Sequence, residues 1–137
     1  MVSKNRSTLL RNMRKVSDRK LPQGNGYNCY CFAAYSIGAY DGIHWMGSYE
    51  MKGILDQMKK VNEPQPGDIV AIWGDDNCED GKNEMERLIH TMIYVNKDRY
   101  LHKPGHWKLE YASWERVLEL YNPGDGFVIN KVTYHRI

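Results

Sequence analysis

Cys29, His90, His102 and Gln23 are the residues whose types and spacing would do chemistry, and together they would carry out acyl transfer through a thioester. Cys29 follows Asn28, a good N-cap, so it falls at the first position of a helix. Backbone N–H groups there lack helical partners and the helix dipole is positive, which favours the nucleophilic thiolate. His90 is the candidate base. It interrupts the apolar run Leu88 to Val95, where a polar ring is costly without a partner or a task. His102 follows the turn Asn96-Lys97-Asp98 and is the candidate to orient His90. A three-residue loop there would pair Val95 with Arg99 and Met92 with His102. Both histidines would then share one sheet face, a diagonal step apart. Gln23, six residues before Cys29, is the candidate oxyanion donor, together with the Cys29 N–H. Thiol, base, orienting group and oxyanion donors are the parts that covalent catalysis requires. The plainer reading of the Cys29 stretch is a buried helix holding two small apolar cysteines.

The elements that must position these residues read in order. Residues 5–18 are expected to form an amphipathic helix with Leu9, Leu10, Met13 and Val16 inward. A Gly- and Asn-rich loop covers 19–28, and the Cys29 helix runs to about Tyr40, where Asp41-Gly42 breaks it. Ser48 is expected to cap a third helix from Tyr49 to about Lys60, with Met51, Ile54, Leu55 and Met58 on its inner face. Pro64-Gln65-Pro66-Gly67 stops it. Strands are then expected at Asp68–Gly74, Leu88–Val95, Arg99–Lys103, Trp107–Tyr111 and Phe127–Tyr134, with a short helix from Trp114 to about Tyr121 capped by Ser113. Helices first and an antiparallel meander after make an α+β fold, with the nucleophile helix among N-terminal helices packed on an antiparallel β-sheet.

At 137 residues the chain is expected to hold one main domain, 21–137, with residues 1–20 as a basic helical arm docked on it. That arm has seven basic residues against Asp18, a balance of +6, so the remainder carries −4 of the net +2. A nucleic-acid partner is the weaker reading of the arm, because no aromatic residue interleaves with its cations. Three cysteines do not make a disulfide framework, so reduced thiols are expected. No signal peptide or membrane span is read, so the expected location is cytoplasmic, or the protein is delivered by another system. No metal is expected: Cys29, Cys31 and Cys78 have poor chelating spacing, and residues 76–87 lack the closing carboxylate of a calcium loop. Nor is a cofactor expected. The acidic stretch Asp75 to Glu86 reads as a solvated loop, and His44, His106 and His135 read as surface residues. Tyr30, Trp73 and Trp107 are the aromatics expected to line a substrate groove.

Gln23-Gly24, then Cys29-Tyr30, then Phe32-Ala33-Ala34 resembles the nucleophile segment of papain-type cysteine peptidases. Pro66-Gly67-Asp68-Ile69-Val70 and His90-Thr91-Met92-Ile93-Tyr94-Val95 are similar to strands of the small papain-like NlpC-type peptidases and CHAP amidases. The resemblance runs from Gln23 to His102 and implies a papain-like (NlpC-type) fold. It implies a cysteine hydrolase acting on an amide bond: in a peptide, a peptidoglycan peptide, a γ-glutamyl group or a protein side chain. Cys29 would attack, His90 would take the proton, His102 would orient His90 and Gln23 would hold the oxyanion. Asn28-Cys29-Tyr30-Cys31 departs from the Asp-Cys-Ser-Gly usual in NlpC-type enzymes, and no papain-like Asn-Ser-Trp segment is present. Two alternatives stand beside hydrolysis. One is a transglutaminase-like thiol acyltransferase. The other is a catalytically silent papain-like module that binds a protein or nucleic acid through the basic arm.

Overall fold

The computed structural model describes residues 28–39, 45–75, 87–103 and 109–137. The expected arm over 1–20 lies outside the described residues, as do Gln23, His44, Cys78, His106, Trp107 and residues 76–86. Helix α1 (Cys29–Ser36) begins directly after Asn28, whose extended backbone and side chain form the expected N-cap. Asn28 Oδ1 accepts from the Cys31 N–H at 3.2 Å and from the Met46 N–H at 3.3 Å, while its Nδ2 donates to the Met46 carbonyl at 2.6 Å. One side chain thus closes the helix start and ties it to the next connection. The helix is shorter than expected: Ile37 caps it and Gly38 leaves at φ 78°, a left-handed step that suits glycine.

Helix α2 (Ser48–Asp56) starts from Gly47, not Ser48, and faces inward through Met51 and Leu55. It ends before the expected Lys60, because Lys59–Val61 forms strand β1. That strand pairs with the chain's last residues, Lys59 with Arg136 and Val61 with Tyr134, and this ladder overrides a weak local preference. Strands β2 (Ile69–Asp75), β3 (Arg87–Asn96), β4 (Arg99–His102) and β5 (Glu110–Ala112) follow, then helix α3 (Trp114–Leu120) and strand β6 (Val128–Arg136). The fold is α+β, with one antiparallel six-stranded sheet ordered β1-β6-β2-β3-β4-β5. It is not the simple meander expected, because β6 returns to lie between β1 and β2. Among the described residues no helix is long and apolar enough to cross a membrane.

The Pro66-Gly67-Asp68 segment does structural work. Gly67 takes φ 94°, Asp68 Oδ2 accepts from the Gln65 N–H at 2.7 Å, and Arg136 grips the same carboxylate through Nε at 2.8 Å and Nη2 at 2.7 Å. Two parallel charge-assisted bonds to a buried carboxylate pin the start of β2 to the end of β6.

Both sheet faces are covered, which explains why Ile69 to Ile72 is a continuous buried run. On the first face α1 and α2 pack Phe32, Met51 and Leu55 over Ile69, Ala71, Ile93 and Leu101. On the second, Val70, Ile72, Met92 and Val117 form a core with Tyr94, Trp114, Tyr121 and Phe127 around it.

Candidate active site

The two histidines meet as expected. β3 and β4 pair Ile93 with Leu101 and Tyr94 with Tyr100, so His102 comes level with Met92 on the face that Met92 and His90 share. The turn itself differs: a bulge at Val95 pairs Asn96, not Val95, with Arg99, and the loop is Lys97-Asp98. His90 Nε2 lies 2.8 Å from His102 Nδ1, with the rings edge to face at 74°. Both side chains are fully buried. Burial pushes His90 well below the ordinary histidine range, and the neighbouring His102 lowers it further. Burial also lowers His102, against an opposing pull from Glu110. The resting pair is therefore neutral at pH 7.

Three residues complete the site that sequence reasoning did not assign. Glu110 Oε1 stands 2.9 Å from His102 Nε2 and also accepts from Arg116 Nε at 3.2 Å. Burial raises the Glu110 carboxyl, but the bonds from His102 and Arg116 outweigh it and hold the group below its usual range. Tyr121 stacks on His90, with centroids 4.5 Å apart, and its hydroxyl lies 2.9 Å from His90 Nδ1. Lys103 follows His102, so alternation along the strand aims it at the opposite face, where its charge favours the Cys29 thiolate. That signal was present in the sequence. Glu110 and Tyr121 gave none, since one lies on a strand whose register no local pattern fixes and the other just past a short helix.

Cys29 occupies the first position of α1 and is buried. The Thr91 hydroxyl donates to its carbonyl at 3.0 Å, fixing the helix start beside the strand that carries His90. Burial pushes the thiol up to about 12; the N–H groups of Thr91, Tyr30 and Cys29 itself pull the other way, as does Lys103. The helix start and the N–H groups that face the sulfur are thus present as expected, but desolvation wins over them in the resting site. Both nitrogens of His90 have partners, Tyr121 and His102, and neither is Cys29. Thr91 alternates with His90 along β3, so Cys29 packs beside Thr91 on the first face while His90 and Tyr121 stand on the second. Burial pushes the Tyr121 phenol up, and Cys29 and Tyr30 raise it further.

Of the expected groove residues, Tyr30 is buried and donates its hydroxyl to the Leu88 carbonyl at 2.8 Å, a strut between α1 and β3. Trp73 packs against the first-face core, donates Nε1 to Thr133 Oγ1 at 2.7 Å and lies under the Lys131 ammonium. His135, expected at the surface, is instead buried in β6, because β1 covers the end of that strand. Its Nε2 lies 2.8 Å from Thr133 Oγ1. Among the described residues no three His, Cys, Asp or Glu side chains converge as metal ligands. No protein-family model matches the chain, and no curated protein matches it.

Proposed function

We propose that this protein is a papain-like, cysteine-dependent hydrolase of an amide bond, with Cys29 as nucleophile, His90 as base and His102 as the residue that orients His90. The observation that supports it best is the fully buried His90–His102 pair, 2.8 Å apart, on the strand whose next residue, Thr91, holds the helix start that carries Cys29. Two buried imidazoles in contact are costly as packing alone. As a base and its support they have a task.

For this chemistry the helix start, which packs on the first sheet face, must bring the Cys29 sulfur to His90 Nδ1 in place of the Tyr121 hydroxyl; the sulfur then attacks the carbonyl carbon while its proton passes to His90. The oxyanion is received by the Cys29 N–H and Gln23. The imidazolium then gives its proton to the departing amine, leaving a thioester. Water attacks the thioester, gives its proton to His90 and restores the thiol. Because the resting thiol and imidazole are both neutral, proton transfer accompanies attack instead of preceding it.

The test is a panel of fluorogenic amides, dipeptidyl and γ-glutamyl, with Cys29→Ala and His90→Ala as controls. The reading expects fluorophore release from at least one member, lost in both variants. Release that survives Cys29→Ala would overturn it. A second reading, a catalytically silent module, is favoured by the Tyr121 hydroxyl on His90. It expects no release, and a partner that binds Cys29→Ala as tightly as the unaltered chain.

A further inference from the structure

We infer that Glu110 is a positioning residue that fixes the protons on both histidines, so that each carries hydrogen on Nε2 and His90 offers Nδ1 as its basic nitrogen. The inference rests on the hydrolase reading for its purpose, but not for its geometry. Four groups form one file: Tyr121 hydroxyl, His90, His102 and Glu110, with successive separations of 2.9, 2.8 and 2.9 Å. Each link needs one hydrogen between its two heavy atoms. A neutral imidazole has one N–H and one bare nitrogen, so fixing one end of the file fixes every link.

The fixed end is Glu110. Its Oε1 accepts from Arg116 Nε at 3.2 Å, and a guanidinium only donates. The oxygen beside that cation is an ionised acceptor, so His102 must bring the hydrogen on Nε2. His102 Nδ1 is then bare and accepts from His90 Nε2–H. His90 Nδ1 is bare in turn and accepts from the Tyr121 O–H. The reverse file would require a protonated Glu110 next to Arg116. With the histidines reversed, His90 Nδ1 would carry hydrogen and could take none from a thiol. Glu110 touches no reacting atom; it acts through two rings.

The test reads tautomers directly from long-range proton–nitrogen correlations of the histidine rings in 15N-labelled protein, for the unaltered chain, Glu110→Gln and Glu110→Ala. In the unaltered chain both rings are expected to show Nε2–H and bare Nδ1. Glu110→Gln keeps an acceptor oxygen facing Arg116 and is expected to retain that pattern. Glu110→Ala is expected to mix the tautomers of both rings. Acylation of Cys29 by 4-nitrophenyl acetate should fall roughly tenfold in Glu110→Ala, part of the 10²–10⁴ that a positioned base contributes. A hydrogen on His90 Nδ1 in the unaltered protein would overturn the inference. So would His90 signals unchanged in Glu110→Ala. If Glu110→Ala does not fold, the spectra of the other two decide. Failure of the hydrolase reading shows separately, as no acylation of Cys29 in the unaltered chain.

Discussion

A thiol held at about 12 instead of an ordinary 9.0 carries about a thousandfold less thiolate at neutral pH, tenfold for each unit. Alkylation proceeds through the thiolate, so Cys29 should react with iodoacetamide about a thousandfold more slowly than the same residue in urea-unfolded chain. Pure steric shielding would also slow the reaction, and the pH profile separates the two causes. If protonation is the cause, the logarithm of the Cys29 rate rises with unit slope from pH 6 to pH 10 and shows no plateau. Peptide mass spectrometry after timed quenching gives the rate at Cys29 apart from Cys31, which is also a free thiol. A preformed thiolate–imidazolium pair would instead give a rate that is flat between pH 5 and pH 8 and close to that of an activated thiol. Such a plateau would refute the conclusion that burial outweighs the helix start, Thr91 and Lys103 in the resting site.

Other consequences are checked by simpler means. Tyr121→Phe removes the hydroxyl on His90 Nδ1 and should raise Cys29 alkylation at pH 7 by several fold, with the gain lost when His90→Ala is added; a slower rate in Tyr121→Phe would show that the phenol does not block the base. Asn28→Ala removes the cap and both bonds to Met46, and should lower unfolding free energy in a urea titration by ~1–2 kcal/mol; a loss within error would mean that the cap contributes nothing. Burial lowers His90, His102 and His135 below the ordinary 6.5, His135 with Lys60 also lowering and Asp56 opposing. The unfolded chain then binds more protons below pH 6.5, so the stability is complete above that pH and is lost as pH falls. The melting temperature should be lower at pH 5 than at pH 7.5, and His135→Gln should shrink the difference; equal temperatures would contradict the burial of these rings as neutral groups.

What the sequence disclosed was local or periodic. Asn28 caps α1 because the cap needs only the residue before the helix and the N–H three residues on. His90 and His102 share a face because alternation along two strands joined by a short turn leaves few registers, and a bulge at Val95 altered the turn without moving the pair. Features that depend on distant chain were hidden. β6 between β1 and β2 follows from a pairing of Ile69 with His135 that no local pattern announces. The pairing of Lys60 with His135 on the other side of β6 covered His135 and made Lys59–Val61 a strand. Glu110 faces His102 across the β4–β5 pair, and the length of the connection before it gave no register. Cys29 shows the limit in energetic terms: the helix start that should activate it was legible, but the desolvation that reverses the balance depends on how fully the first-face core closes around it.

The most direct measurement of the central claim is acyl-enzyme trapping. Protein is mixed with 4-nitrophenyl acetate at pH 7.5, quenched in acid within seconds and digested, and the acetylated residue is located by mass spectrometry. The account predicts one acetyl group on the Cys29 sulfur, hydrolysed on longer incubation, and formed at least a hundredfold more slowly in His90→Ala, the lower end of what a positioned base contributes. Acetylation spread over lysines, or a Cys29 rate unchanged by His90→Ala, would contradict it.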